Sequence, residues 1–441
     1  MHNKAFTEEA QSMLAHLMTD DPQMDHRIAA GIEENRKGWG RLQLVSRDGS
    51  PIGRADVKLR QLKHEFHFGC NAFLLDQLPE SEKNERYREL FSKLFNLAVV
   101  PFYWSDLEPE EGKLRFEKES PFIYRRPPAD LVLEFCNEQG ITPKGHPLLW
   151  HNFRPSWLSC DETEMREKIH RRFQQISDRY ADKIKIWDVC NEAQTLTVDE
   201  RITHVPENHV EYAFELAERY FPTCTKTYND DRIWYRYSRT YSPVYLLLKS
   251  LMQQGHKVDA LGLQLHMFPS TFYNAFRYLN PRNLFNCFDL YGSLNIPLNM
   301  SEISITSRRD FGDGDAFQEI VAEKLYRIWF SHAAMNGIVW WNMVDNTAAY
   351  APLGDETAGE NQLRAGLVNY DMTTKPAYKA LHRLIHEEWQ THPEFEYNEG
   401  AKNQFRAFYG DYELTVTTDQ GTSKHTIKLS RSDLNTFRIE V

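Results

Sequence analysis

The feature that most constrains this chain is a rhythm. Between about residue 61 and residue 388, short β-branched or aromatic runs alternate with longer amphipathic stretches. Eight of the short runs read as strands, near 66–70, 97–103, 141–148, 184–190, 224–229, 258–265, 296–301 and 337–341. Helix-period segments lie between them: in 162–180, Met165, Ile169, Phe173, Ile176 and Tyr180 recur at three- and four-residue intervals and make one apolar stripe. Strands joined through helical crossovers pair in parallel, and eight such units predict an α/β fold of the (β/α)8 (TIM barrel) type. In such a barrel the loops after the strands surround one mouth, so chemistry is sought at the C-terminal strand ends.

Two of those ends carry an acid. "KIKIWDVCNEA" (183–193) packs Ile184, Ile186, Val189 and Cys190 into an apolar run and stops on Glu192, while "IPLNMSEISI" (296–305) is interrupted by Glu302. The two lie about three βα units apart, which puts them on the fourth and seventh strands, facing each other across the mouth. Facing carboxylates suit the cleavage of a glycosidic bond: one protonates the leaving oxygen while the other attacks the anomeric carbon or activates water. Other strand ends add polar and ring-bearing side chains, with His146, Trp150 and His151 in "GHPLLWHN", Gln264 and His266 in "GLQLHMF", and Trp341 in "WWNMVD". Buried imidazoles and indoles need partners, so such a concentration is poorly explained as core.

Composition sets outer limits. A chain of 441 residues, 41% hydrophobic, can bury a large core, and its length suggests two or three structural units. A net charge of -11, with no long Lys/Arg block, argues against nucleic acid as a partner. No window is apolar for long enough to span a bilayer. The N-terminal stretch carries Glu8, Glu9, Asp20 and Asp21 and no apolar h-region, so it does not read as a secretory signal. Six cysteines are scattered without a CxxC pair, as reduced buried thiols would be, and a cytoplasmic location is expected.

Taken in order, "GHPLLWHN", "WDVCNEA", "YND", "GLQLH", "MSEISI" and "KPAYKAL" resemble glycoside hydrolase family 10, the retaining xylanase family, over most of residues 61 to 388. The resemblance implies Glu192 as general acid/base, preceded by an Asn191 that binds a sugar 2-hydroxyl, and Glu302 as nucleophile, with His266 and Gln264 beside it. It implies that His146 and Trp150 line the floor of the sugar site and that Trp341 supplies an aromatic platform, with Trp104 and Tyr103 also in the substrate-binding region. Asn229 and Asp230 fall on the family's fifth-strand pair as structural support. No cofactor and no metal is implied, and the partner is an oligosaccharide or small β-glycoside.

The sequence departs from the family on one side. After the second strand it reads "FNLAVVPFYWSDLEPEEGKLRF": Val99 and Val100 stand where the family carries a Glu-Asn pair, and Tyr103 replaces a Lys before Trp104. Phe153 replaces a Gln, and Ser304 an acid two residues after the nucleophile. These are groups that grip distal glycone sugars in the family, so short oligosaccharides or small glycosides are expected in place of polymeric xylan. An inserted stretch, "FEKESPFIYRRPPAD" (116–130), is read as a surface loop in preference to a subsite wall.

Two other classes of function compete: a non-catalytic sugar-binding barrel, and a metal-dependent hydrolase with zinc on His146, His151 and His266. The first requires a lost carboxylate, and the second lacks the His-x-His pair such sites start from. His64 and His67, three apart on a strand, point to opposite faces. Asp310, Asp313 and Asp315 match a calcium loop only in part and read as a βα loop. Outside the barrel, residues 1–38 are polar and helical. Strands in 39–60, around Asp48-Gly49 and Pro51, and in 389–441 are each too few to bury a face alone, so together they predict one small β-sandwich. Within it Phe408, Tyr409 and Tyr412 are read as core.

Overall fold

Residues 6–196, 200, 204–234 and 242–441 are described by a computed structural model. Every predicted barrel run is a strand. After β1 (Lys37–Val45) and β2 (Arg54–His64), the barrel strands are β3 (His67–Asn71), β4 (Leu97–Pro101) and β5 (Thr142–His146); a two-residue β6 (Leu149–Trp150) precedes β7 (Ile186–Asn191), β8 (Thr225–Asp230), β9 (Ala260–His266), β10 (Leu298–Ser304) and β11 (Met335–Trp340). The ladder runs β5-β4-β3-β11-β10-β9-β8-β7, all parallel, and pairing of Lys144 with Ile186 and Gly145 with Trp187 joins β5 to β7 and closes the barrel. Strands covered on both faces are apolar throughout: all five residues of β4 are buried.

Helices between the strands seal the outside. In Glu162–Tyr180 the stripe of Met165, Ile169, Phe173, Ile176 and Tyr180 is buried, and Asp161 caps the start by accepting the Glu164 N–H at 2.9 Å. At the N-terminus, Asp21 accepts the Met24 N–H and Pro22 occupies the first helical position, where no N–H is needed, so Pro22–Arg36 forms a second anchored helix. The acids of 310–315 have local work: Asp310 pairs with Arg308, and Asp313 caps Gly314–Ser331 by accepting the Ala316 N–H.

Beyond the barrel come β12 (Glu394–Asn398), β13 (Gln404–Phe408), β14 (Gly410–Thr418), β15 (Gly421–Leu429) and β16 (Thr436–Glu440). They combine with β1 and β2 into two sheets, β13-β1-β16 and β12-β2-β14-β15. Leu42 and Leu44 from one sheet and Val57, Leu59, Tyr412 and Leu414 from the other share a single buried core, each large side chain worth about 1.5–3 kcal/mol on burial. The expected sandwich is therefore present at the termini. Phe408 differs from expectation, because it packs into the barrel core. His64 and His67 also lie on two different strands, β2 and β3.

Candidate active site

Strand β7 delivers Asn191 and then Glu192, whose backbone turns into the left-handed region with φ 53° and ψ 38°. A non-glycine residue held there is strained by about 1–3 kcal/mol and persists only where its surroundings fix it. Here the Glu192 N–H donates to the Asn229 carbonyl at 2.8 Å, and the Glu192 carbonyl accepts the Thr195 hydroxyl at 2.8 Å.

On β10 the pairing with β9 slips between Met300 and Glu302. Neighbouring residues on a regular strand point to opposite faces, yet the Ser301 hydroxyl and the Glu302 carboxylate both reach the Asn229 side chain. The slip thus turns both toward the mouth. Asn229 is fully buried; its amide nitrogen donates to Glu302 Oε1 at 2.7 Å and to Asn191 Oδ1 at 2.8 Å. Strand β9 runs between β8 and β10, and it leaves room because residue 262 is glycine: a Cβ there would stand 2.4 Å from Asn229 Oδ1.

Gln264 ties the two acids together. Its amide nitrogen lies 3.0 Å from Glu192 Oε1 and 3.2 Å from Glu302 Oε1. Two oxygens that share one nitrogen are separated by no more than the sum of those distances, 6.2 Å. That is below the roughly 6.5–9.5 Å of carboxyl pairs that leave room for an attacking water. Burial, and then the nearby Glu302 charge, push the Glu192 carboxyl well above its usual range; Asp231 and Asp230 add to this, and the Gln264 amide opposes it. A carboxyl poised to stay protonated thus stands beside a second carboxyl.

Of the remaining expected residues, His146 and His266 approach Glu302 and three rings pack around His146, with one exception. His146 Nε2 is 3.9 Å from Glu302 Oε1, and its Nδ1–H donates to Asp188 at 2.8 Å. Asp188 is fully buried; burial disfavours its charge, but Lys144, 2.9 Å away, and His146 outweigh that and hold its carboxyl below the usual range. His266 Nε2 lies 3.6 Å from Glu302 Oε2, while its Nδ1 is 2.9 Å from the Ser304 hydroxyl, so the serine that replaces an acid still meets this ring. Trp341, half-buried, meets His146 edge-on at 5.4 Å, and Tyr103 does so at 5.5 Å. Trp150 packs on Tyr103 at 5.7 Å. Trp104 is the exception. Its indole N–H donates to Glu108 at 2.9 Å and its ring faces Trp157 and Arg172, away from the carboxylates.

The 116–130 stretch is a surface loop only in its first half: 117–119, 121 and 122 are exposed, whereas 125–129 are buried. Arg125 and Arg126 are 3% and 7% exposed, and neighbouring groups accept from their guanidinium donors: Arg125 donates to the Thr347 carbonyl at 2.7 Å, and Arg126 to Asp106 at 2.7 Å. Asn229 is the other residue that the sequence undervalued. The "YND" stretch singles it out, but only its double contact reveals that it orients both halves of the site.

Residues 62–384 match the model of glycosyl hydrolase family 10. The chain belongs to this family of retaining glycosidases. The resemblance noted on the ordered motifs therefore holds, as does the expectation of a glycoside hydrolase on a (β/α)8 barrel. Endo-1,4-beta-xylanase B of Thermotoga neapolitana is 25% identical over 358 residues, covering 77% of this chain and 94% of the xylanase. An anti-sigma-I factor, RsgI6 of Acetivibrio thermocellus, is 25% identical over 417 residues, 92% of this chain; the chain spans 49% of that protein. Among solved structures, native xylanase 10B from Thermotoga maritima superposes with a TM-score of 0.59 at 23% identity, covering 74% of this chain and 96% of the other. Xylanase 10B from Thermotoga petrophila, solved with xylobiose, gives 0.57 at 22% identity.

Proposed function

We propose that this member of family 10 hydrolyses short β-linked xylo-oligosaccharides or small β-glycosides by double displacement. Glu302 attacks the anomeric carbon as Glu192 gives its proton to the leaving oxygen; the bond to the aglycone breaks as the bond to Glu302 forms. Glu192, now ionised, then takes a proton from the water that releases the sugar from Glu302. The shared hydrogen bond from Gln264 supports this most directly, since it keeps the two carboxyl groups at the close separation that covalent catalysis requires. Asn191 suits a role in binding the 2-hydroxyl, because its buried amide nitrogen has no hydrogen-bond partner among the described residues. Half-buried Trp150 and Trp341 offer flat apolar faces for a pyranose ring.

Other properties are argued from the whole chain. All six cysteines are unpaired and five are buried, which supports a reducing compartment such as the cytoplasm. No helix among the described residues is long and apolar enough to cross a membrane. The net charge of -11 supports a sugar, not a nucleic acid, as partner. We take residues 1–38 as a helical segment, 61–388 as the catalytic barrel, and 39–60 with 389–441 as one accessory β-domain.

Replacement of the two acids tests the roles. Glu302→Ala is expected to lower kcat by about 10⁴-fold or more on every substrate. Glu192→Gln should cost about 10²–10⁴-fold on a phenyl glycoside and far less on a dinitrophenyl glycoside, whose leaving group needs no proton. Turnover that survives loss of Glu302 would overturn the proposal.

A further inference from the structure

The two carboxylates divide the barrel mouth into unlike flanks. The short way from β7 to β10 passes β8 and β9, whose ends carry Asp231, Gln264 and His266. The long way passes β5, β4, β3 and β11. There Phe73 (2% exposed), Val99 (1%) and Tyr103 (6%) form a dry cluster, with Phe153 and Trp341 packed against it. His146 stands between Glu302 and the Tyr103 ring, and the other polar side chains at these strand ends, Asn71 and Asn342, are hydrogen-bonded to each other, Asn342 also to Arg125.

The inserted loop closes this flank from above. The Arg126 guanidinium lies 4.0 Å from the centre of the Tyr103 ring and 5.3 Å from that of Phe153, and Asp106 holds it there. Arg115 fastens the loop from below, donating to the Pro121 carbonyl at 2.8 Å and to the Arg126 carbonyl at 3.1 Å. A sugar pushed into this flank would have to displace the Arg126–Asp106 ion pair, whose guanidinium is buried, and its hydroxyls would lose water for apolar rings that cannot bond them.

The nucleophile bonds the glycone sugar, and the acid stands on the leaving-group side. Both flanks reach Glu302, but the closed one holds Val99, Tyr103 and Phe153, the positions where the sequence departs from the groups that grip glycone sugars. We propose that Arg126, clamped over Tyr103 and Phe153, ends the glycone site after a single sugar. The enzyme then removes one sugar at a time from the non-reducing end of a β-linked oligosaccharide, or takes one-sugar β-glycosides. This rests on the roles given above to Glu302 and Glu192 and specifies the substrate class they serve.

The test compares nitrophenyl β-xyloside with nitrophenyl β-xylobioside, and follows xylotetraose carrying a fluorescent label at its reducing end. The wild-type enzyme is expected to favour the xyloside by about tenfold or more in kcat/KM, and to shorten labelled tetraose one sugar at a time. In Arg126→Ala combined with Tyr103→Ala, that preference should fall or reverse as the flank opens. A xylobioside cleaved as well as or better than the xyloside by wild type, internal cleavage of the tetraose, or loss of sugars from the labelled end would each overturn the inference while leaving hydrolysis established. If neither glycoside releases nitrophenol, the proposed xylo-substrate fails, and the inference with it.

Discussion

The ends of β8, β9 and β10 and the ends of β3, β4 and β11 occupy equivalent positions around one barrel, yet they are built from opposite materials. On the first side, Asn229, Gln264, Glu302 and Ser301 form a continuous hydrogen-bonded network in which one amide serves two acids. On the second, Phe73, Val99, Tyr103 and Val339 pack as a core, and the polar groups there, Asn71 and Asn342, bond to each other and not to the acids. Both are equally buried, so burial alone does not mark a catalytic position. What separates them is whether the buried atoms need partners: a network locks orientation through many directional bonds, whereas the apolar cluster contributes volume and excludes water.

The contrast can be broken experimentally, beginning with its apolar half. Phe73→Ala empties a ring from a site where it meets both Tyr103 and Trp341, and should destabilise the fold by about 3–5 kcal/mol, read from urea or thermal unfolding. A loss below about 1 kcal/mol would mean that the cluster is loosely packed. In the polar half, Asn229→Ala removes the donor shared by Asn191 and Glu302. Its effect should fall mainly on kcat, by about 10²-fold or 2–3 kcal/mol, because the lost bonds orient a reacting group; an effect confined to KM would argue that Asn229 only holds substrate. The smallest effect is electrostatic. The Asp231 charge helps to raise the Glu192 carboxyl, so Asp231→Asn lets that proton leave at lower pH, and the alkaline limb of kcat/KM should move toward acid. A limb that stays put or moves the other way would remove Asp231 from the account of Glu192.

Much of this was legible in the sequence, for reasons that differ by level. The eight strands and the Glu162–Tyr180 stripe were readable because periodicity is a local property and parallel strands are apolar along their whole length. Glu192 and Glu302 stood out because each breaks an apolar run at a strand end. Asn229 was harder to see, since its importance comes from a slip in the β10 ladder that no local pattern announces. The pair Arg125-Arg126 misled outright: two arginines beside two prolines look like a solvated turn, but loops distant in sequence provide the carbonyls and the acid that allow their burial. Trp104 shows the same limit, as its neighbour Tyr103 turns into the mouth while Trp104 turns to Glu108.

The parallel pairing of β1 with β16 has a consequence for how this chain comes into being. During synthesis from the amino end, the first two strands emerge early and stay without partners while the entire barrel is made. Each would present open backbone edges throughout that interval, and only the arrival of residues 394–440 covers them. During synthesis, assembly of the terminal sheets is therefore a late event that can begin only after the residues of the catalytic pair have been made.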